Sequence, residues 1–277
     1  MPEGDTLFRI ATALRPSLAG RRIVAAAARQ PGPRAELLVG ATVEAVDARG
    51  KHLLIRFDNG LVLRTHLGMH GSWHRYARGE RWQRPPARAR IVLETEAAVA
   101  VCFDAPTVEL FDARAESIHP KLSALGPDLL SADFDDDALA EIVRRLRAPE
   151  RESLTVAEAL LDQRAMAGVG NIYKSETLFV EHVNPFVRLP DVTDEILRRL
   201  VLTARELLRA NTSTGAGPRT TTPAAVARRS PADRLWVYDR AGRPCRRCGT
   251  VVERRSGGEF ERTTYWCPTC QAVEDAR

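Results

Sequence analysis

Four of the five cysteines in this 277-residue chain fall in two pairs near its end, Cys245 with Cys248 and Cys267 with Cys270. They read C-x2-C, an 18-residue gap, and a second C-x2-C. Each pair places two thiolates on one tight turn, and two such knuckles complete a tetrahedral shell around Zn2+. No fifth ligand accompanies them, so one structural zinc ion is expected rather than a redox dithiol pair. Val251 and Val252 suggest a strand, Ser256-Gly257-Gly258 a turn, and Phe260 to Trp266 a return strand. The hairpin would present Arg254, Arg255 and Arg262. About 45 residues hold little core of their own, so the metal would supply the missing stability. The remaining cysteine, Cys102, lies in the apolar run AVAVCF and reads as a small buried hydrophobe.

A cysteine-rich end on a chain of this length implies further domains, roughly two by size alone. Apolar residues make up 44% and charged residues 28%, which excludes a mainly disordered chain. The longest apolar run is far short of the ~20 residues a membrane span needs. The start, MPEGDTLFRI, has no apolar segment of the kind a secretory signal carries, so the cytosol is expected and no membrane partner. The formal charge is +5, and it is unevenly placed. Ten arginines fall between positions 200 and 247, opposed only by Glu206, Asp233 and Asp239. Such a block fits phosphate binding, although a solvated charged face has the same composition.

Lysine is scarce. Lys51, Lys121 and Lys174 are the only lysines among 41 basic residues. A lysine retained in so arginine-rich a chain is a candidate for work that needs a compact ammonium able to give up its proton.

The middle of the chain is helical by periodicity, over residues 136–148, Val156 to Leu161 and Ile196 to Leu208. Within it, LLDQRAMAGVGNIYKSETLF places Gly168 and Gly170 in a turn and Asn171 as N-cap of a helix running to about Glu181. Backbone N–H groups at that helix start, with Lys174 on the first turn, suit a phosphate. An ordinary helix–turn–helix corner needs the same residues. The first 120 residues read differently: a helix from Asp5 to Leu14, then strands at Thr42 to Ala48, Lys51 to Phe57, 61–67, Ala89 to Leu93, Val99 to Phe103 and Thr107 to Phe111. Asn59-Gly60 between two apolar runs signals a hairpin. A linker is expected within HPKLSALGPDLLSADFDDD, and a polar loop at 211–223.

Pro2 follows the initiator methionine, whose removal would leave a secondary amine at the chain start. Such an amine titrates well below lysine and forms an iminium with an aldehyde-like carbon. Glu3, beside it, is a candidate acid or base. Taken alone, Met-Pro-Glu is a common start.

The order MPEGDT, RGKHLLIRF, HLGMHGSW, GVGNIYKSE and CRRC…RTTYWCPTCQ resembles the bifunctional DNA glycosylase/lyase family that includes formamidopyrimidine-DNA glycosylase and endonuclease VIII, with MPEGDT and the terminal module closer to endonuclease VIII. The resemblance implies an α+β, multi-domain fold: an N-terminal β-sandwich with a first helix at 1–120, a helix–two-turn–helix domain at 121–233, and a zinc-ribbon hairpin at 234–277. It implies Pro2 as nucleophile on C1′ of a damaged nucleotide, Glu3 as the acid that helps open the sugar, and Lys51 as an aid to elimination. Asn171 would bind phosphate, and Arg262 would contact phosphate and aid the second elimination. Met69 would fill the gap left by an everted base, with His70 beside it. The partner implied is damaged DNA, bound by a monomer, and the activity is removal of oxidised bases, pyrimidines by preference, with β,δ-elimination. A non-catalytic zinc-ribbon DNA-binding protein or damage sensor is the alternative. The Arg-Arg-Phe-Gly segment of the oxidised-purine branch is absent near ELFDARAES.

Overall fold

Short apolar segments between Ala25 and Asp112 build two four-stranded antiparallel sheets. The computed structural model describes residues 2–29, 31–213, 219–223 and 231–272. It divides into two compact units, Met1–Ala124 and Leu125–Arg277. Three sequence expectations fall outside the described residues: the removal of Met1, the centre of the 211–223 loop, and the placement of Arg228 and Arg229 in the basic block.

In the first unit α1 (Gly4–Leu18) precedes β1 (Ala25–Ala28), β2 (Val43–Arg49), β3 (His52–Phe57), β4 (Leu61–His66), β5 (Ser72–Tyr76), β6 (Ala89–Glu94), β7 (Val99–Phe103) and β8 (Thr107–Asp112), and a short α2 (Pro120–Ser123) closes it. One sheet runs β1-β6-β7-β5 and the other β2-β3-β4-β8. Their inner faces share a core: Trp73, Ile91, Leu93, Ala100 and Cys102 from the first, and Val46, Leu53, Ile55, Leu63 and Val108 from the second. Leu7, Ala11, Leu14 and Leu18 of α1 complete it, spaced so that one helical stripe faces inward. β7 is buried on both faces, because Val99, Val101 and Phe103 pack outward against Tyr76 and Trp82. That explains why AVAVCF reads as an unbroken apolar run. β1 and β5 were not visible in the sequence. β1 is four alanines, a residue with no preference for strands, and it exists through its pairing with β6.

The second unit holds α3 (Asp136–Leu146), α4 (Val156–Ala159), α5 (Asn171–Val180) and α6 (Asp194–Ala210), then a two-stranded β9 (Glu253–Arg255) and β10 (Thr264–Trp266). Asp135, Thr155 and Thr193 cap α3, α4 and α6 with side-chain oxygens, and Thr155 forms a reciprocal capping box with Glu158. α5 is buried on every side from Asn171 to Phe179. Its N-cap is Gly170, not Asn171, which is the first helical residue. The terminal hairpin is shorter than the sequence suggests. Val252 turns into the core beside Phe179, Val237 and Cys267, and residues 256–263 form a loop closed by Arg262 N–H on Gly257 O and by Ser256 with Thr263. No helix among the described residues is long and apolar enough to cross a membrane.

Truncating Leu7, which has no exposed surface, leaves a cavity between α1 and the sheets. Leu7→Ala should lower stability by about 2–5 kcal/mol. Urea unfolding checks this, and an unchanged midpoint would contradict the packing of α1.

Candidate functional site

The N-terminal residues are fixed by the start of α1. Glu3 occupies the N-cap position in extended conformation, and its carbonyl accepts the Thr6 and Leu7 N–H groups at 2.9 and 3.2 Å. Its side chain has no exposed surface, while Pro2 before it remains partly exposed. Asp5, also fully buried, is paired with Arg9 at 3.6 Å. The helix therefore carries two buried carboxyls in its first residues, directly after the proline.

Lys51 lies at the tip of a two-residue turn, not in a strand. Arg49 pairs with His52, and Gly50 takes φ +56, a positive value that a side chain resists. Glycine first in such a turn, with no positive φ at Lys51, is the II′ pattern that matches strand twist. Below the turn, polar groups line the outer face of the second sheet. His52 faces His66 across β3 and β4, with ring centres 5.1 Å apart. Arg64 donates to His52 Nδ1 at 2.8 Å and to Glu109 at 3.0 Å, and His119 meets the same carboxylate at 3.2 Å. Because Arg64 has only donors, His52 Nδ1 must accept, which makes that imidazole neutral. Burial first, then the charges of Arg64, His66, His119 and Lys51, lowers the His52 pKa to about 3. This row of groups escaped the sequence reading, in which KHLLIRF gave only a strand.

The β4–β5 connection presents Met69 and His70. Gly71 N–H closes on Leu67 O at 2.8 Å, and a Cβ on Gly71 would overlap that carbonyl. The loop is consequently tight, and its tip stands out: Met69 is 55% exposed, and His70 is exposed.

In the second unit Asn171, Lys174 and the hairpin meet. Asn171 Nδ2 donates to Thr263 O at 2.8 Å. Lys174 is 1% exposed, and its ammonium contacts Asn171 Oδ1 at 2.7 Å, Thr264 Oγ1 at 2.8 Å and Thr263 O at 3.2 Å. Arg262 sits exposed at the end of the loop that these bonds anchor. Glu158 of α4 holds the other side by accepting Glu259 N–H at 2.8 Å. A cavity of about 210 Å³ lies between α4, α5 and the hairpin, lined by Lys174, Arg255 and Arg262 among others. The sequence reading missed Glu176. It is wholly buried on α5, and its carboxylate accepts the N–H groups of Trp236, Val237 and Tyr238 at 2.8–2.9 Å and the Thr221 hydroxyl. Only burial identifies it, and a glutamate on a polar-looking helix gives no such signal.

The four cysteine sulfurs all lie within 4.8 Å of one another. Cys245 to Cys270 is 3.9 Å and Cys248 to Cys267 is 3.4 Å. A tetrahedral site with metal–sulfur bonds near 2.3 Å needs sulfur–sulfur edges of about 3.8 Å. Backbone N–H groups of Arg247 and Cys270 point at Cys245 and Cys267 sulfurs, each at 3.4 Å. The donor set fits a closed four-thiolate metal site.

The family profile of the formamidopyrimidine-DNA glycosylase N-terminal domain matches residues 1–114, and that of the formamidopyrimidine-DNA glycosylase H2TH domain matches residues 125–222. The chain is 42% identical over 277 residues to the DNA-(apurinic or apyrimidinic site) lyase Nei2 of Mycolicibacterium smegmatis, covering 99% of this chain and 100% of that one. It is also 42% identical over 275 residues to endonuclease 8 2 of Mycobacterium tuberculosis, covering 98% and 100%. The crystal structure of the MutM (Fpg) protein of Thermus thermophilus superimposes with a TM-score of 0.78 at 31% identity, over 99% of this chain and 100% of that one.

Two measurements check this geometry. In the unfolded chain His52 protonates near pH 6.5, but in the folded unit only near 3. The unfolded state thus binds the proton first, so stability should fall as pH drops from about 6.5 toward 3. His52→Gln should flatten that slope in urea unfolding over a pH series, and an unchanged slope would contradict the assignment. Elemental analysis should return one metal ion per chain, and a strong chelator should alter Trp236 and Trp266 fluorescence by loosening the module. A metal-free protein with unchanged fluorescence would show that the thiolates do not need an ion.

Proposed function

The chain belongs to the formamidopyrimidine-DNA glycosylase family, on its endonuclease VIII branch, and we propose that it removes oxidised pyrimidines from DNA through a Schiff base on Pro2. It is a DNA glycosylase and AP lyase of repair. The observation that carries the mechanism is Glu3, a carboxyl with no exposed surface held at the N-cap of α1 directly after the partly exposed ring of Pro2.

With Met1 removed, the Pro2 nitrogen attacks C1′ of the damaged nucleotide, and the bond to the base breaks. Glu3 gives a proton to the sugar oxygen as the ring opens, which leaves a cationic iminium. The iminium makes the C2′ proton acidic. Its loss expels the 3′ phosphate, and a second elimination expels the 5′ phosphate. Lys51, on a stiff turn, assists the first elimination, and Arg262, exposed on the hairpin loop, assists the second. Asn171 and Arg262 hold backbone phosphate. The Lys174 ammonium already contacts three protein acceptors, so its part is to hold the hairpin rather than to meet phosphate. A base within a duplex cannot be reached, so the nucleotide flips out, and Met69 with His70 fills the gap. Zn2+ on the four cysteines supplies structure and no chemistry. We place the protein in the cytosol, where thiols stay reduced, and as a monomer, since one lesion needs one copy.

The test is covalent trapping. Incubated with abasic-site DNA and borohydride, the protein should give an adduct whose peptide map places the link at Pro2. Retention of Met1, which moves the amine one residue away, should abolish both adduct and nicking, whereas Pro2→Ala keeps a primary α-amine and should only weaken them. An adduct that maps to a residue other than Pro2, or full nicking by a protein that retains Met1, would overturn the mechanism, and a wild-type protein that binds lesions without an adduct would be a damage sensor.

A further inference from the structure

The Met69–His70 loop has a support that the mechanism above does not use. The β5–β6 connection, residues 77–88, folds back along the sheet. Trp82 packs on Tyr76 and Phe103, with ring centres 6.2 and 5.8 Å away, and Gln83 N–H donates to the Tyr76 hydroxyl at 3.1 Å. That fixes Arg84, whose Nη1 donates to two acceptors, His70 O at 3.3 Å and Asp104 Oδ2 at 2.7 Å. Asp104 is held in turn. Its other oxygen accepts from Arg88 Nε at 2.8 Å, and its N–H donates to Arg88 O at 3.0 Å. It takes φ +54, which few residues other than glycine adopt, in the three-residue connection from β7 to β8. The next residues of that connection press on the same loop: a Cβ on Gly68 would come within 2.8 Å of Pro106. The loop tip is thus tied by its own carbonyl to a brace of Arg84, Asp104 and Arg88.

We propose that Arg84, through its bonds to the His70 carbonyl and the Asp104 carboxylate, is a positioning residue that sets the Met69–His70 tip rigidly enough to act as a wedge. The inference rests on the glycosylase reading for its consequence, but not for its geometry. A side chain that enters a base stack must not yield, because a flexible tip returns as loop motion the free energy needed to hold bases apart. A tight turn fixes the shape of the tip, and the brace fixes its place on the sheet. Asp104 is well suited to this, because Arg88 first and then Arg84 hold its carboxyl below the usual carboxylate range. The brace therefore stays ionised across the pH range of enzyme assays.

The chain has three methionines, so methyl-labelled methionine gives a sparse NMR spectrum in which Met69 is read directly and the fully buried Met166 serves as reference. In Arg84→Gln the Met69 signal should shift and change width while Met166 stays fixed, and Arg84→Lys should restore part of the wild-type signal. In activity, Arg84→Gln should slow excision of an oxidised base from duplex DNA by about tenfold. It should leave cutting of a preformed abasic site in single-stranded DNA within about twofold, since no stack is opened there. In a Met69→Ala background the same change should add little further loss on duplex, because the two act as one unit. An unmoved Met69 signal, equal losses on the two substrates, or additive losses in the double variant would each overturn the proposal. The methionine readout needs no activity, so a wild-type protein that fails to trap abasic DNA sinks the glycosylase reading alone.

Discussion

A helix that carries a lysine and a glutamate into the interior of its own unit is the constraint on which the second half of this molecule depends. Buried charges are tolerated only when their hydrogen-bonding capacity is met, and removing one partner of such a group typically costs about 3–5 kcal/mol. On α5 each charge is met by chain from outside the helix. Lys174 reaches Thr263 and Thr264 at the start of β10, and Glu176 gathers three successive amides at 236–238 and a threonine hydroxyl. Burial raises the Glu176 pKa, and the four donors oppose that rise. The terminal hairpin and the segment leading to the knuckles thus hang on two side chains within one turn of the same helix. The four-thiolate cluster closes the far end, and Cys267 and Val252 pack against Phe179 of the same helix.

In the first unit the same logic runs through a sheet. The apolar faces of two sheets and α1 make a core that needs nothing from the residues proposed to act on DNA. These collect at its margins: Pro2 and Glu3 at the start of α1, Lys51 at one turn tip, and Met69 and His70 at another. Turns are where a rigid scaffold can present a side chain without disturbing its own ladder. Their stiffness comes from elsewhere, from Gly50 and the Arg64 row for Lys51, and from the arginine–aspartate brace for Met69.

Lysine scarcity, a weak compositional signal, gains physical content here. The three lysines have three different settings. Lys121 lies exposed on α2. Lys51 lies at a turn tip, where an ammonium that exchanges its proton is useful. Lys174 has three acceptors around one nitrogen, and a planar guanidinium fork would not fit them. Arginine could not readily replace the last two, but for different reasons, and the count alone does not tell them apart. Likewise Asn171 has the chemistry of an N-cap, and capping preference alone places it there. In the fold its amide bonds across to Thr263, and Gly170 takes the cap position. A local rule lost because a longer-range partner was available.

The sequence by itself determined whatever rests on short-range pattern. Cysteine spacing gave the thiolate cluster, weak alternation gave β2, short apolar runs and the Asn-Gly turn gave β3, β4, β6, β7 and β8, period 3.6 gave α3 and α6, and motif order gave the family. Tertiary structure alone decided the rest. β1, a run of alanines, is a strand only because β6 lies beside it, and β5 has an irregular pattern that pairing with β7 makes regular. The burial of Glu176, the His52–Arg64–Glu109 row and the hold of Arg84 on His70 join residues up to 62 positions apart in the chain. No periodicity encodes such pairs, because which polar groups lose water, and which of them then find each other, is settled only when the sheets and helices close around them.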